Sequence, residues 1–448
     1  MRSWLIRNVF TPLHEKFSGL PVHEKLRALE ASQWWAGEQI REWQWQKAKE
    51  LLAHAYQNIP YYKKLLDERG LPPHSIQTWE DWKKIPILSR QTAHDEMTHL
   101  MARDKVRKLI RKRTSGTQGE RVDFFWDKAA YVTNLAMKLR GHRWFGIDTG
   151  DSSAKLWDIP PRTKPLSRLK NYLRQTFLRH EIGLPIRDLS EEKLEKFYGE
   201  VQRLQPVFLV GYRSALTAFA DFIQKTGKDG RALGVRFVLS TAEMMLPYQR
   251  KKLQEIFGAP VGNVYGANEV GLLGFECPQG AMHLMADGVL IEFIPEDPAS
   301  DVKTVIATNL ENYGMPLLRY RIGDVASPVE RPCSCGRGLP AVDLSVARLD
   351  EVIELPNGRR FHVTVLASVI EYAFPYGENP IREFCFYQTA SRDFKLQVAG
   401  KFEDKELVRK RIIENSRKYL GPNIIFEIEF VPKIEKPASS KMRSVIRE

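Results

Sequence analysis

The spacing of apolar positions changes character along the chain. Residues 1 to about 100 read as helices rich in aromatics, with Trp34, Trp35, Trp43, Trp45, Trp79 and Trp82 set among charged residues. Tryptophans so placed anchor helices to a core through their large apolar area. Asn58-Ile59-Pro60-Tyr61-Tyr62 breaks two helical patterns at a proline, which cannot continue a helix from inside. From Val207 the period shortens. Val207–Val210, Val235–Leu239 and Val261–Tyr265 are short apolar runs. Between them lie helical patterns, one with Leu216, Phe219, Ala220 and Ile223 on one face and one around Tyr248 to Ile256. That alternation predicts βαβ units in a parallel sheet. Further strands are expected at Leu290–Ile294 and Thr304–Thr308. The tail reads as its own α+β unit. It has strands at Arg382–Gln388 and Phe394–Val398, an amphipathic helix at Asp404–Tyr419 and a final strand at Ile424–Phe430.

A chain of 448 residues has room for two or three domains. No apolar run approaches the roughly 20 residues needed to span a bilayer. Charges scattered through Met1–Phe17 predict no secretory leader. Four cysteines in so long a chain argue against a disulfide scaffold and for a cytoplasmic setting. The net charge of +13 attracts anions without choosing among nucleotides, coenzyme A, anionic lipid, acidic polysaccharide and nucleic acid. No recognised nucleic-acid module is visible, so no specific nucleic-acid partner is expected. Basic residues concentrate in Lys105–Arg113 and in Arg162–His180, where Leu166, Leu169, Leu173 and Phe177 fall on one helical face. A helix docked on the core is the plainer reading of the second stretch. It also admits a peripheral place on an anionic membrane or an acidic polysaccharide client.

The sharpest local feature is Arg113-Thr114-Ser115-Gly116-Thr117-Gln118-Gly119-Glu120. Its glycines let the backbone approach a ligand closely, and its hydroxyls and amides can donate to phosphate oxygens. It lacks the Gly-Lys-Ser/Thr ending of a Walker A loop. Alone, such a loop is more often a polar turn than a phosphate site. It is followed in order by Tyr265-Gly266-Ala267-Asn268-Glu269, Tyr320-Arg321-Ile322-Gly323-Asp324, Arg348-Leu349-Asp350-Glu351 and Lys436-Pro437-Ala438-Ser439-Ser440-Lys441.

This order and spacing resembles the acyl-adenylate-forming superfamily, which includes the acyl-CoA synthetases. Within it the chain is similar to the phenylacetate–CoA ligase branch, through Ile59-Pro60-Tyr61-Tyr62, Trp79–Leu88 and Met315–Asp324. The resemblance runs from about residue 25 to the end. It implies an α/β fold: a large N-terminal body of parallel or mixed sheets and helices over 1–349, and a small α+β C-terminal lid over 350–448, hinged at Asp350. It also implies roles. Thr114, Ser115, Gly116, Thr117 and Gly119 would cradle the β- and γ-phosphates of ATP, and Glu269 would hold Mg²⁺, a hard ion for a hard oxygen. Tyr265 and Gly266 would lie by the adenine, Asp324 would take the ribose hydroxyls, and Arg348 would approach the ribose and α-phosphate. Lys441 would bridge the substrate carboxylate and the α-phosphate. A carboxylate attacking a phosphate is an anion meeting an anion, so cationic groups must offset both. The chain departs from the family pattern at Gln118, Ala347 and Ser440. Singly, Glu269 could cap a helix and Asp324 could be a turn residue.

The acyl pocket is expected near Tyr212, Ser240, Thr241, Ala242 and Glu243. That mixture does not name the carboxylic acid. Cys277, His283, Cys333 and Cys335 make up a full tetrahedral set for structural Zn²⁺, provided two loops far apart in the chain meet. Cys385 reads as core. The reading is therefore an ATP-dependent enzyme that makes an acyl-AMP and passes the acyl group to a thiol, with coenzyme A as the expected co-substrate. One rival keeps adenylation and changes the acceptor to an amine or a sugar in polysaccharide biosynthesis. The other is a non-catalytic polyanion- or membrane-binding relative. Oligomeric state is not legible.

Overall fold

The computed structural model describes residues 2–103, 109–113, 123–157, 180–186, 189–241, 243, 245–295, 303–343, 352–354, 360–362, 366, 369–370, 373–374, 380–388, 394–420, 426–432, 434 and 445–447. The N-terminal part is helical, as the aromatic-rich pattern predicts. It contains α1 (Arg2–Leu5), a π-helical turn at Ile6–Phe10, α2 (Thr11–Ser18), α3 (Val22–Ser32), α4 (Gly37–Asn58), α5 (Pro60–Glu68), α6 (Trp79–Lys83) and α7 (Arg90–Asp95). Proline sets the α4–α5 break. Ile59 is extended, as a residue before proline prefers, and Pro60 opens α5, where its missing N–H leaves no bond unmade.

A hairpin of β1 (Ile110–Arg113) and β2 (Asp123–Trp126) precedes α8 (Lys128–Trp144). Then come β3 (Ser153–Trp157), β4 (Glu181–Pro185), α9 (Glu191–Leu204), β5 (Phe208–Tyr212), α10 (Arg213–Thr226), β6 (Phe237–Thr241), α11 (Pro247–Phe257) and β7 (Val261–Ala267). Strands β4-β3-β5-β6-β7 are parallel neighbours. Such strands are covered on both faces, and β5 and β6 show it. Phe208, Val210, Phe237 and Leu239 join the core beneath α3, α4, α5 and α8. Leu209 and Val238 join a second core with Leu194, Phe197, Leu216, Phe219, Leu253 and Phe257 from α9–α11.

After β7 the direction alternates through β8 (Gly271–Glu276), β9 (Met282–Leu284), β10 (Val289–Pro295), β11 (Lys303–Asn309), β12 (Tyr320–Val329) and β13 (Ala341–Asp343). The described strands run β10-β11-β12-β13-β9-β8-β7-β6-β5-β3-β4. β12 is the corner: its first half pairs with β11 and its last residues, Ser327–Val329, pair with β13. Tyr320–Asp324 opens β12, after β11 and the loop that follows it.

In the tail, β16 (Ile381–Gln388), β17 (Phe394–Gly400), α12 (Lys405–Leu420) and β18 (Phe426–Phe430) follow a short hairpin of β14 (Val352–Glu354) and β15 (Arg360–His362). The strand expected last is not the last: β19 (Val445–Arg447) returns to pair in parallel with β16. The tail has its own core of Phe386, Phe394, Leu396, Val398, Ile412 and Ile428. No helix among the described residues is long and apolar enough to cross a membrane.

Candidate active site

In an open α/β sheet the ligand crevice lies beyond the carboxyl ends of the parallel strands. Here those ends carry Trp157, Tyr212, Thr241 and the turn Asn268–Val270 after β7. Tyr265 is buried near the end of β7, and its hydroxyl donates to Asp324 Oδ2 at 3.0 Å. In sheet order β7 and β12 are separated by β8, β9 and β13. Four strand spacings of a flat sheet would put them about 19 Å apart. The hydrogen bond therefore requires the sheet to fold round at the corner strand, which brings Tyr265 and Asp324 together. Gly323, just before Asp324, has φ +88°, a backbone setting that a β-carbon would strain.

Glu269 lies in the β7–β8 turn and is nearly buried at 8% exposure. Its backbone carbonyl accepts from Trp126 Nε1 at 3.0 Å, so the last residue of β2 is tied to this turn. The β1–β2 hairpin is thus seated beside Glu269. On that hairpin, Lys112 Nζ lies 4.6 Å from the Trp126 ring and 5.5 Å from the Tyr131 ring, and burial pushes its pKa down. Sequence reasoning missed one partner altogether: Arg90 Nη1 stands 3.9 Å from Glu269 Oε1. Arg90 is brought there because Leu88 pairs with the start of β12, through Leu88 N to Arg319 O at 3.1 Å and Arg321 N to Leu88 O at 3.0 Å. Arg319 secures the pairing. It is buried, holds φ +49°, and its guanidinium donates to Ile85 O at 2.6 Å and to Glu292 at 3.1 Å. No local pattern in the sequence signals that long-range pairing.

The expected acyl-pocket residues divide. Tyr212 packs on Trp157 with ring centroids 5.1 Å apart. Ser240 is fully buried, and its Oγ has no hydrogen-bond partner among the described residues. Glu243 accepts from Ser214 N at 2.7 Å and from Ser214 Oγ at 2.9 Å, so its carboxylate holds the first turn of α10. A carboxylate there is favoured by the orphan amides of a helix start. Thr114, Ser115, Gly116, Thr117, Gly119, Ala242, Arg348, Asp350 and Lys441 lie outside the described residues, as does most of Arg162–His180.

The cysteine–histidine quartet does meet. One ligand atom from each of Cys277, His283, Cys333 and Cys335 lies within 4.8 Å of every other. Cys277 Sγ and Cys333 Sγ are 3.7 Å apart, and Cys335 Sγ is 3.1 Å from His283 Nε2. A tetrahedral ion with Zn–S bonds of 2.3 Å has sulfur–sulfur edges of about 3.8 Å, so the spacing fits. His283 Nδ1 donates to Leu339 O at 2.9 Å, which leaves Nε2 facing the sulfurs. Burial lowers the His283 pKa and so keeps the ring neutral, the form that ligates. No other group of this kind occurs among the described residues.

No protein-family model matches the chain. It is 24% identical over 346 residues to a phenylacetate–coenzyme A ligase of Thermus thermophilus, covering 74% of this chain and 75% of that protein. It is 22% identical over 418 residues to Protein CapK of Staphylococcus aureus, covering 90% and 88%. Its fold is similar to that of 2-hydroxyisobutyryl-CoA ligase solved with R3-HIB-AMP in the postadenylation state. The TM-score is 0.74 at 15% identity, covering 90% of this chain and 88% of that one. The chain is thus similar in sequence to phenylacetate–coenzyme A ligases and similar in fold to an acyl-CoA ligase.

Proposed function

We propose that this protein activates a carboxylic acid with ATP as an acyl-AMP, releasing pyrophosphate, and then transfers the acyl group to the thiol of coenzyme A. The observation that carries the reading is the convergence of Glu269, Tyr265 and Asp324 beside the hairpin that flanks the glycine-hydroxyl loop. Asp324 accepts from the ribose hydroxyls, and Tyr265 orients it from the adenine side. Glu269 is a suitable Mg²⁺ ligand: a nearly buried carboxylate with the Arg90 guanidinium beyond hydrogen-bond range, at 3.9 Å. The ion would supply charge neutralisation on the phosphates. Arg90 faces that carboxylate and would lend a further positive charge to the phosphate oxygens. Lys441 and Arg348 complete the charge around the attacked α-phosphate. Residues 350–448 act as a lid that brings Lys441 in for adenylation and swings about Asp350 for thioester formation. A structural Zn²⁺ on Cys277, His283, Cys333 and Cys335 belongs to the same reading. With all four positions filled by protein, it would have no opening for substrate.

The test is product analysis with a carboxylic acid panel, ATP and Mg²⁺, with and without coenzyme A. The reading predicts AMP and an acyl thioester when coenzyme A is present. Acid-dependent AMP with no thioester would move the acceptor to an amine or hydroxyl. Nucleotide turnover that ignores the acid would overturn the reading.

A further inference from the structure

The turn carrying Cys333 and Cys335 touches more than its metal partners. Its backbone is a tight loop, Gly336 N to Cys333 O at 3.1 Å with Gly336 at φ +76°. From there the chain runs straight into the α3–α4 corner. Gly338 N donates to Gln33 O at 2.9 Å. The fit leaves no room for a side chain, since a β-carbon on Gly338 would fall 1.8 Å from Trp35 O. The Gln33 side chain is buried and acts as a hub, with Oε1 accepting from Trp144 Nε1 at 2.7 Å and from Arg337 Nε at 3.2 Å. The Arg337 guanidinium lies 4.4 Å from the Trp144 ring and 5.2 Å from that of Trp34. Trp144 in turn meets the edge of His283 at 5.9 Å. From Arg331 to Pro340 only Leu339 is buried, and the segment forms no strand or helix.

We infer that the metal held by Cys277, His283, Cys333 and Cys335 fastens the N-terminal helical layer to the sheet, by fixing the Cys333–Gly338 turn against the α3–α4 corner. This rests on the zinc assignment above and goes beyond it. The ion ties the exposed turn to β8 and β9, and the turn ties the corner to α8 through Gln33, Arg337 and Trp144. Removing the ion frees the turn and takes away the corner's outer anchor. The α9–α11 side of the sheet shares none of these contacts.

The experiment uses the full chain, purified without chelator. Metal content is measured first, then amide hydrogen exchange before and after zinc removal by a strong chelator and after Zn²⁺ is restored. The expected result is one Zn²⁺ per chain. On removal, exchange should accelerate at least about tenfold in residues 22–45 and 331–340, stay unchanged in α9–α11, and reverse with Zn²⁺. Gly338→Ala is the second arm. It leaves all four ligands in place, so it should retain zinc while loosening residues 22–45. A chain that neither retains nor takes up zinc would overturn the metal assignment. One that binds zinc yet shows the same exchange in residues 22–45 with and without it would overturn the fastening role alone. Neither readout needs catalytic activity, so failure of the proposed reaction remains distinguishable.

Discussion

Removing the Asp324 carboxylate should weaken use of ATP far more than use of the acid. The side chain is held by the Tyr265 hydroxyl at 3.0 Å, on the strand where the sheet turns its corner. If it accepts from both ribose hydroxyls, Asp324→Ala removes two hydrogen bonds to a charged acceptor, each worth about 1.5–3 kcal/mol. Together that is roughly 3–4 kcal/mol after water re-enters, or about 10²–10³-fold in kcat/KM for ATP. Tyr265→Phe keeps the ring and removes only the orienting donor, so about 1 kcal/mol, roughly fivefold, is expected. Because Tyr265 acts through Asp324, the double variant should be no worse than Asp324→Ala, a coupling of about 1 kcal/mol. The assay is acid-dependent ATP–pyrophosphate exchange at varied ATP, repeated with 2′-deoxy-ATP. Wild type should prefer ATP, and Asp324→Ala should lose most of that preference. Additive losses in the double variant, or an unchanged preference in Asp324→Ala, would refute the reasoning.

Other outcomes follow from the same geometry. Glu269→Gln should raise the Mg²⁺ needed for half-maximal exchange, and Arg90→Gln should raise KM for ATP with KM for the acid unchanged; equal effects on both KM values would point to a folding defect. Arg140 is fully buried and bonds to the buried Asp287 carboxylate at 3.0 Å and to Leu29 O at 2.8 Å, so Arg140→Met leaves an unpaired buried charge. A loss of about 3–5 kcal/mol is expected, read as a melting temperature lower by roughly 3–5 °C, and an unchanged Tm would contradict it. His142 is buried between Phe208 and Phe275, and burial holds its pKa well below the ordinary 6.5. The unfolded chain therefore takes the proton first on acidification. This residue's share of stability is present above 6.5 and is lost below it, by at most about 1.4 kcal/mol per pH unit. His142→Phe should flatten that part of the stability–pH curve.

What the sequence reveals follows from the range of each interaction. The units β5–α10–β6–α11–β7 are legible because a buried parallel strand reads as an apolar run and each covering helix shows one apolar face. β8, written Gly-Leu-Leu-Gly-Phe-Glu, does not look like a strand, because its glycines make room for neighbours; a β-carbon on Gly274 would fall 3.0 Å from Met282 Sδ. β12 hides as a turn because it contains Gly323 and Asp324 and changes partners midway. β19 is three residues long and is a strand only because β16 is there to pair with. The cysteine–histidine quartet stands out because its residue types are scarce and chemically distinctive. Arg90 and Gln33 are ordinary surface-type residues whose importance arises from tertiary pairing, which no local pattern records.

The central claim is that this site joins a carboxylate to the α-phosphate of ATP before any acceptor is needed. Exchange of labelled pyrophosphate into ATP, measured across aromatic, aliphatic and sugar-linked carboxylic acids without coenzyme A, tests it most directly. Exchange that requires both Mg²⁺ and one class of acid is the predicted result. A folded, zinc-replete protein that exchanges with none of these acids, or equally well with no acid at all, would contradict it.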